Sequence, residues 1–151
     1  MISKAIQITG AVLLTLLMAT AHAGTVAVTD DDGRQLTLPG PAKRIVSLAP
    51  HITELLFAAG AGDRIVGTVE YSDYPEPAKQ IERIGNHSAI DMERLAALQP
   101  DLIIAWQSGN PKQALKKLEQ MGYTLFYSEP RTIDDIASTM IRFATIAGTR
   151  A

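Results

Sequence analysis

Two stretches of this chain hold the residue types from which hydrolytic enzymes are built: Ser47, His51 and Asp63 in one, His87, Ser88 and Asp91 in the other. A serine nucleophile needs a base within hydrogen-bond reach and a turn that presents its hydroxyl. Neither stretch has the G-x-S-x-G elbow or a spacing that brings hydroxyl to imidazole. Metal chemistry has no better footing, because His51 and His87 stand in different loops without an H-x-x-x-H pair or a carboxylate at ligand spacing. The glycines form neither G-x-G-x-x-G after a strand nor a Walker loop, which leaves nucleotide binding unsupported. Asp30-Asp31-Asp32-Gly33 lacks the alternate spacing and closing glutamate of a calcium loop and reads as turn chemistry. What remains is aromatic. Tyr71 and Tyr74 lie in EYSDYP, residues 70–75, and Trp106 opens the segment WQSG. Flat rings beside the polar pair Ser72 and Asp73 suit a large, partly apolar ligand. The residues describe a binding protein, not an enzyme, with no metal or cofactor of its own.

The rings can act together only if strands deliver them to one rim. Arg44 to Leu48 is a short β-branched run, and Ser47, Pro50 and Thr53 offer helix-start chemistry. Leu55 to Ala59 then lead to Gly60, suited to a left-handed helix end, and Ile65 to Val69 supply a second strand. So tight a crossover between apolar strands predicts a parallel βαβ unit, whose strand C-termini face a common crevice. Ahead of it, Val26 and Val28 alternate toward the DDG turn, and Leu36 and Leu38 alternate away from it, a β-hairpin pattern. Pro39-Gly40-Pro41 separates the two.

After the EYSDYP loop, Asp91 caps a helix through Gln99 with Met92, Leu95 and Leu98 on one face, and Pro100 stops it. Leu102 to Ala105 is a buried strand that ends at Trp106. Asn110 caps and Pro111 opens a helix to Met121, with Ala114, Leu115 and Leu118 inward and Gly122 closing it. Tyr123 to Tyr127 is the next strand. Thr132 and Asp135 start a last helix whose inward face is Ile133, Ile136, Met140, Phe143 and Ala147. A hairpin followed by alternating strands and helices defines an α/β, Rossmann-like, doubly wound lobe with a mostly parallel sheet. The ending Gly148-Thr149-Arg150-Ala151 follows that helix with no terminal packing element, as in a fragment of a longer chain.

The formal charge of −2, without a Lys/Arg cluster, excludes a nucleic-acid partner on electrostatic grounds. Residues 1–23 read as an export signal: Lys4 gives a positive start, Ile6 to Thr20 is mostly apolar, and Ala21-His22-Ala23 fits the small-x-small cleavage pattern. The apolar run is shorter than the roughly 20 residues of a membrane span. Cleavage removes Lys4 and no acid, taking the charge from −2 to −3. With no cysteine, the chain has neither a disulfide nor a lipidation site. The expected product is residues 24–151, soluble in the periplasm.

The run VTDDDGRQLTLPGPAKRIVSLAPHITELLFAAGAGDRIVG resembles the N-terminal lobe of the helical-backbone, or class III, periplasmic substrate-binding proteins of ABC importers for cobalamin, haem and ferric siderophores. YSDYP followed by IDMERLAALQPDLIIAWQSGN narrows the resemblance to the cobalamin binders of that class, over about Thr25 to Gly148. The resemblance implies one lobe of a two-lobed, monomeric receptor that captures a corrinoid and delivers it to the importer's membrane permease subunits. It implies that Tyr71 helps line the cleft and that Glu93 is the carboxylate that docks on the permease; Ser72, Asp73, His87 and Trp106 are the other expected ligand contacts. His87 stands where cobalamin binders can carry a tryptophan, so haem or a ferric siderophore remains an alternative ligand. A periplasmic hydrolase on the same layer is the reading from another class, and it requires the elbow that this chain lacks. The C-terminal lobe and most of the linking helix are absent from the sequence.

Overall fold

A computed structural model describes residues 24–86 and 88–150. The expected export signal over 1–23 and the expected ligand contact at His87 lie outside the described residues. Two strands, β1 (Val26–Thr29) and β2 (Gln35–Leu38), form the antiparallel hairpin, with Val28 opposite Leu36. Strands β3 (Ile45–Ser47), β4 (Ile65–Gly67), β5 (Leu102–Trp106) and β6 (Leu125–Ser128) form a wholly parallel sheet in the order β4-β3-β5-β6. Helices α1 (Pro50–Ala58), α2 (Met92–Ala97), α3 (Lys112–Gln120) and α4 (Ile133–Ala147) alternate with the strands.

Because successive strand residues point to opposite faces, each apolar run feeds two cores. Ile45, Leu102, Ile104 and Phe126 pack under α1, α4 and the buried leucines of β2. Val46, Ile103, Ala105 and Tyr127 pack on the other face under Leu95 of α2 and Leu115 and Leu118 of α3. The result is the doubly wound α/β layer expected, with helices on both faces.

Several local expectations change. Asn110 does not cap α3, which begins after an extended Pro111 with no side-chain cap. The asparagine instead ties the loop between strand and helix. On α4 the capping box of Thr132 and Asp135 forms. Ile133 and Ile136, though, are 84% and 41% exposed, and the buried face is Thr139, Phe143, Ala144, Ile146 and Ala147. The first turn of α4 therefore faces outward, and Ile136 lines the hollow beside Trp106 instead of the core. Helix α2 is shorter than expected, because Gln99 turns to φ 46°. The chain end also packs: the Thr149 hydroxyl donates to Ala59 O at the end of α1 (2.6 Å), and Gly148, at φ 66°, sits against Pro41.

The aspartate turn does more than reverse the chain. Asp30 is 5% exposed and accepts from the backbone N–H groups of Asp32, Arg34 and Tyr127, and Asp31 accepts from Glu129 N (2.6 Å). These bonds seat the hairpin on the end of β6. Among the described residues no group of three or more histidines and acids is placed to hold a metal ion, and no helix is long and apolar enough to cross a membrane.

Candidate functional site

From β3 the chain passes through α1 to β4 on one side, and from β4 it passes through α2 to β5 on the other side of β3. The strand order therefore switches between β3 and β5, and a crevice opens outside their C-terminal ends, the place where open α/β sheets bind ligands. Trp106 is the last residue of β5, and His51 is the second residue of α1, which Pro50 starts after two residues that follow β3. Their rings meet edge to face, centroids 5.2 Å apart at 85°. They wall a hollow of about 410 Å³ together with Glu54, Leu55, Pro130 and Ile136. Burial holds the His51 imidazole below its usual pKa, partly opposed by the Glu129 carboxylate, so it faces the crevice neutral at pH 7.

The indole is fixed from three sides. The backbone N–H of Trp106 donates to Asn110 Oδ1 (2.7 Å), and Asn110 Nδ2 donates to Leu48 O (2.9 Å), tying the loop after β5 to the end of β3. A Cβ at Gly109 would fall 1.8 Å from Trp106 Cε3, so only glycine lets the chain pass beneath the ring. Ser108 donates from its N–H and its hydroxyl to Glu129 (3.0 and 2.9 Å), and Gln107 Nε2 donates to Asp32 Oδ1 (2.7 Å).

Tyr71 follows β4, one strand beyond β3, so its loop and Trp106 stand about two strand spacings apart, roughly 10 Å, along the same edge. It is 76% exposed and held at φ 67°, a backbone region that a tyrosine rarely adopts. Arg83 organises the loop behind it, donating to the carbonyls of Ser72, Ala78 and Ile81, each at 2.9 Å, and pairing with Asp73 at 3.2 Å. Tyr74 is 70% exposed, and its peptide bond to Pro75 is cis.

The expected contacts thus divide. Trp106 lines the hollow, Tyr71 stands exposed in the loop after β4, and Asp73 has its carboxylate engaged by Arg83. Ser72 does not face a ligand, because it is 1% exposed with its hydroxyl turned into the core. Glu93 is exposed on the first turn of α2, where Asp91 accepts from the N–H groups of Glu93 and Arg94. Ser47 is wholly buried and hydrogen bonded to Thr53 and to Ala49 O, so its hydroxyl is not presented as a nucleophile. Sequence reasoning missed His51, Asn110, Arg83 and Glu129 as builders of the site. Two signals were present for the first two: Pro50 places residue 51 on the first helical turn after a strand, and Asn110 follows a tryptophan by four residues. A larger groove of about 750 Å³ runs between Ser88–Met92 and α3, lined by Lys116, Lys117 and Gln120. It holds neither Tyr71 nor Trp106.

The fold is a doubly wound lobe that carries a tryptophan at its switch point. The chain belongs to the periplasmic binding protein family, whose model matches residues 45–151. The vitamin B12-binding protein of Vibrio cholerae is 51% identical to it over 105 residues, 70% of this chain and 38% of that protein. That of Yersinia pestis is 49% identical over 110 residues, 72% of this chain and 39% of that protein. Among solved structures, the periplasmic vitamin B12 binding protein BtuF of Vibrio cholerae superposes with a TM-score of 0.68 at 48% identity, over 71% of this chain and 42% of that one. The haem-binding protein HmuT superposes with a TM-score of 0.69 at 25% identity, over 83% of this chain and 41% of that one. The chain therefore spans about two fifths of the length of the relatives it matches.

Proposed function

We propose that residues 24–151 are the N-terminal lobe of an exported, non-catalytic receptor that captures cobalamin or a related corrinoid and delivers it to an ABC importer. The observation that carries this reading is the placement of Tyr71 and Trp106 along one sheet edge around the switch-point crevice, in a chain about half identical to vitamin B12-binding proteins. A macrocycle laid across that edge meets both rings, while the neutral His51 and the loop amides offer hydrogen bonds to its periphery. Haem is the second ligand to test, on the likeness to HmuT. In this reading the signal over 1–23 is cleaved, the receptor works as a monomer in the periplasm, and a C-terminal lobe supplies the opposing wall.

Trp106 is the only tryptophan, so its fluorescence reports on the crevice. Titration with cyanocobalamin, corrected for absorption by the corrinoid, is expected to quench it tightly in a two-lobed form and weakly in the 151-residue chain. Tighter saturation by haemin than by cyanocobalamin would reassign the ligand. Hydrolysis of generic esters that is lost in Ser47→Ala would replace the receptor reading with a hydrolase. Glu93 is the docking contact proposed for the permease. An exposed charge of this kind acts mainly on association rate and salt dependence, so Glu93→Lys is expected to impair uptake while leaving ligand affinity within about twofold. Loss of affinity with uptake coupling intact would instead place Glu93 in the ligand site.

A further inference from the structure

Four hydroxyls lie in the apolar interior where the sheet edge turns toward the Tyr71 loop. Ser47, Thr53 and Thr68 are 0% exposed, and Ser72 is 1% exposed. They form a continuous line: Ser47 Oγ to Thr53 Oγ1 is 2.9 Å, Thr53 Oγ1 to Thr68 Oγ1 is 2.7 Å, and Thr68 donates to Ser72 Oγ at 2.8 Å. Each hydroxyl has one proton. Since Thr68 gives its proton to Ser72, it accepts from Thr53, while the Ser47 hydroxyl divides its one proton between Thr53 and the Ala49 carbonyl (3.1 Å). The line joins the end of β3, the first turn of α1, the residue after β4 and the loop, and it ends one residue beyond Tyr71. That tyrosine sits at φ 67°, between Glu70, whose N–H donates to Gly85 O (2.8 Å), and Ser72, whose carbonyl accepts from Arg83 (2.9 Å).

We propose that this buried hydroxyl line is a positioning device that presets Tyr71 at the crevice, so that Thr68 and Ser72 govern ligand affinity through Tyr71 without touching the ligand. The proposal rests on the reading of Tyr71 as a ligand contact. An apolar core could be filled at these positions by valine and alanine of similar shape. Hydroxyls add direction, because donation from Thr53 through Thr68 to Ser72 admits one placement of Ser72, and Ser72 determines where its neighbour leaves the core. The side chain at 71 can then stand free in solvent with its backbone already in the left-handed region.

The test uses Thr68→Val, which keeps the shape of a side chain too buried to reach a ligand. Cyanocobalamin affinity is measured in the two-lobed form, with and without Tyr71→Ala. The expected result is a loss of about tenfold with Tyr71 present and less than about twofold in the Tyr71→Ala background, the coupling of sites that act as a unit. Thr68→Ser, which keeps the hydroxyl, is expected to retain near-parental affinity. Equal losses in both backgrounds, or no loss with Tyr71 present, would overturn the proposal. Ser72→Ala is the second variant should valine not be accommodated. If the parent does not bind cyanocobalamin, the receptor reading fails and the line is judged without ligand. Backbone amide order at 70–73 in the full chain is then expected to fall in Thr68→Val while the sheet amides hold theirs, and unchanged order would overturn it.

Discussion

At the residue scale, the neighbours Tyr71 and Ser72 have opposite fates, one 76% and the other 1% exposed. A polar type beside an aromatic in a loop reads as surface, and nothing local signals that Thr53 and Thr68 wait in the core to receive it. His51 is the converse case, a residue without a motif that acquires meaning from the ring it touches. Its pKa is lowered by burial, so between its folded pKa and the ordinary value near 6.5 the unfolded chain binds the extra proton. Its contribution is full above about pH 6.5 and is lost as pH falls toward the folded pKa. Urea unfolding followed from pH 7.5 to 5 is expected to show falling stability, with a shallower slope in His51→Gln; an identical slope would dismiss the buried imidazole as the cause. Gly109→Ala is expected to shift Trp106 emission, because the added carbon occupies the indole's place. Unaltered emission would mean that the ring is not seated on that glycine.

At the element scale, the hairpin is the part whose role was least visible. Its alternation and its turn were legible, since period two and a DDG sequence are local properties. Its seating depends on partners about a hundred residues away: Asp31 accepts from Glu129 N and pairs with Arg142 of α4 at 2.7 Å, with side chains only 16% and 20% exposed. Removing one member of a largely buried pair strands the other charge. Asp31→Ala is therefore expected to cost about 2 kcal/mol in denaturant unfolding, below the value for a fully buried pair, with early loss of hydrogen-exchange protection in β1 and β2. A change under about 0.5 kcal/mol, the range of ordinary surface substitutions, would show that the hairpin does not rely on it. Glu119 on α3 assists from the other side. It bonds Arg34 of the turn and the Tyr127 hydroxyl, and burial followed by that acceptor pushes the Tyr127 phenol up to about 12. The misread face of α4 has the same origin: helical spacing marks Ile133 and Ile136 as apolar, but only tertiary packing decides which turns the core covers.

At the scale of the whole molecule, the proposed function makes the crevice of residues 24–151 one wall of a two-lobed site. A good pocket buries most of its ligand's surface, and each aromatic face adds about 0.5 to 1.5 kcal/mol beyond its buried area, by analogy with aromatic pairs. Loss of an opposing wall forfeits several such contacts, and each 1.4 kcal/mol is about tenfold in affinity. The 151-residue chain is accordingly expected to bind cyanocobalamin orders of magnitude more weakly than a two-lobed form, by calorimetry or Trp106 quenching. Nanomolar binding by the chain alone would place a complete pocket within residues 24–151.

By itself the sequence determined the order of elements, the parallel βαβ core, the rim that carries Tyr71 and Trp106, and the family. Each of these follows from apolar periodicity, caps and turn residues, or motifs acting over a few positions. Only the tertiary structure decided that Ser72 points inward, that His51 meets Trp106, that Asn110 ties two strand ends together, and that the aspartate turn is pinned to β6 and α4. The physical reason is that these are contacts between residues distant in the chain. Strand order and helix placement set them, and local pattern carries no record of which side chain will face which.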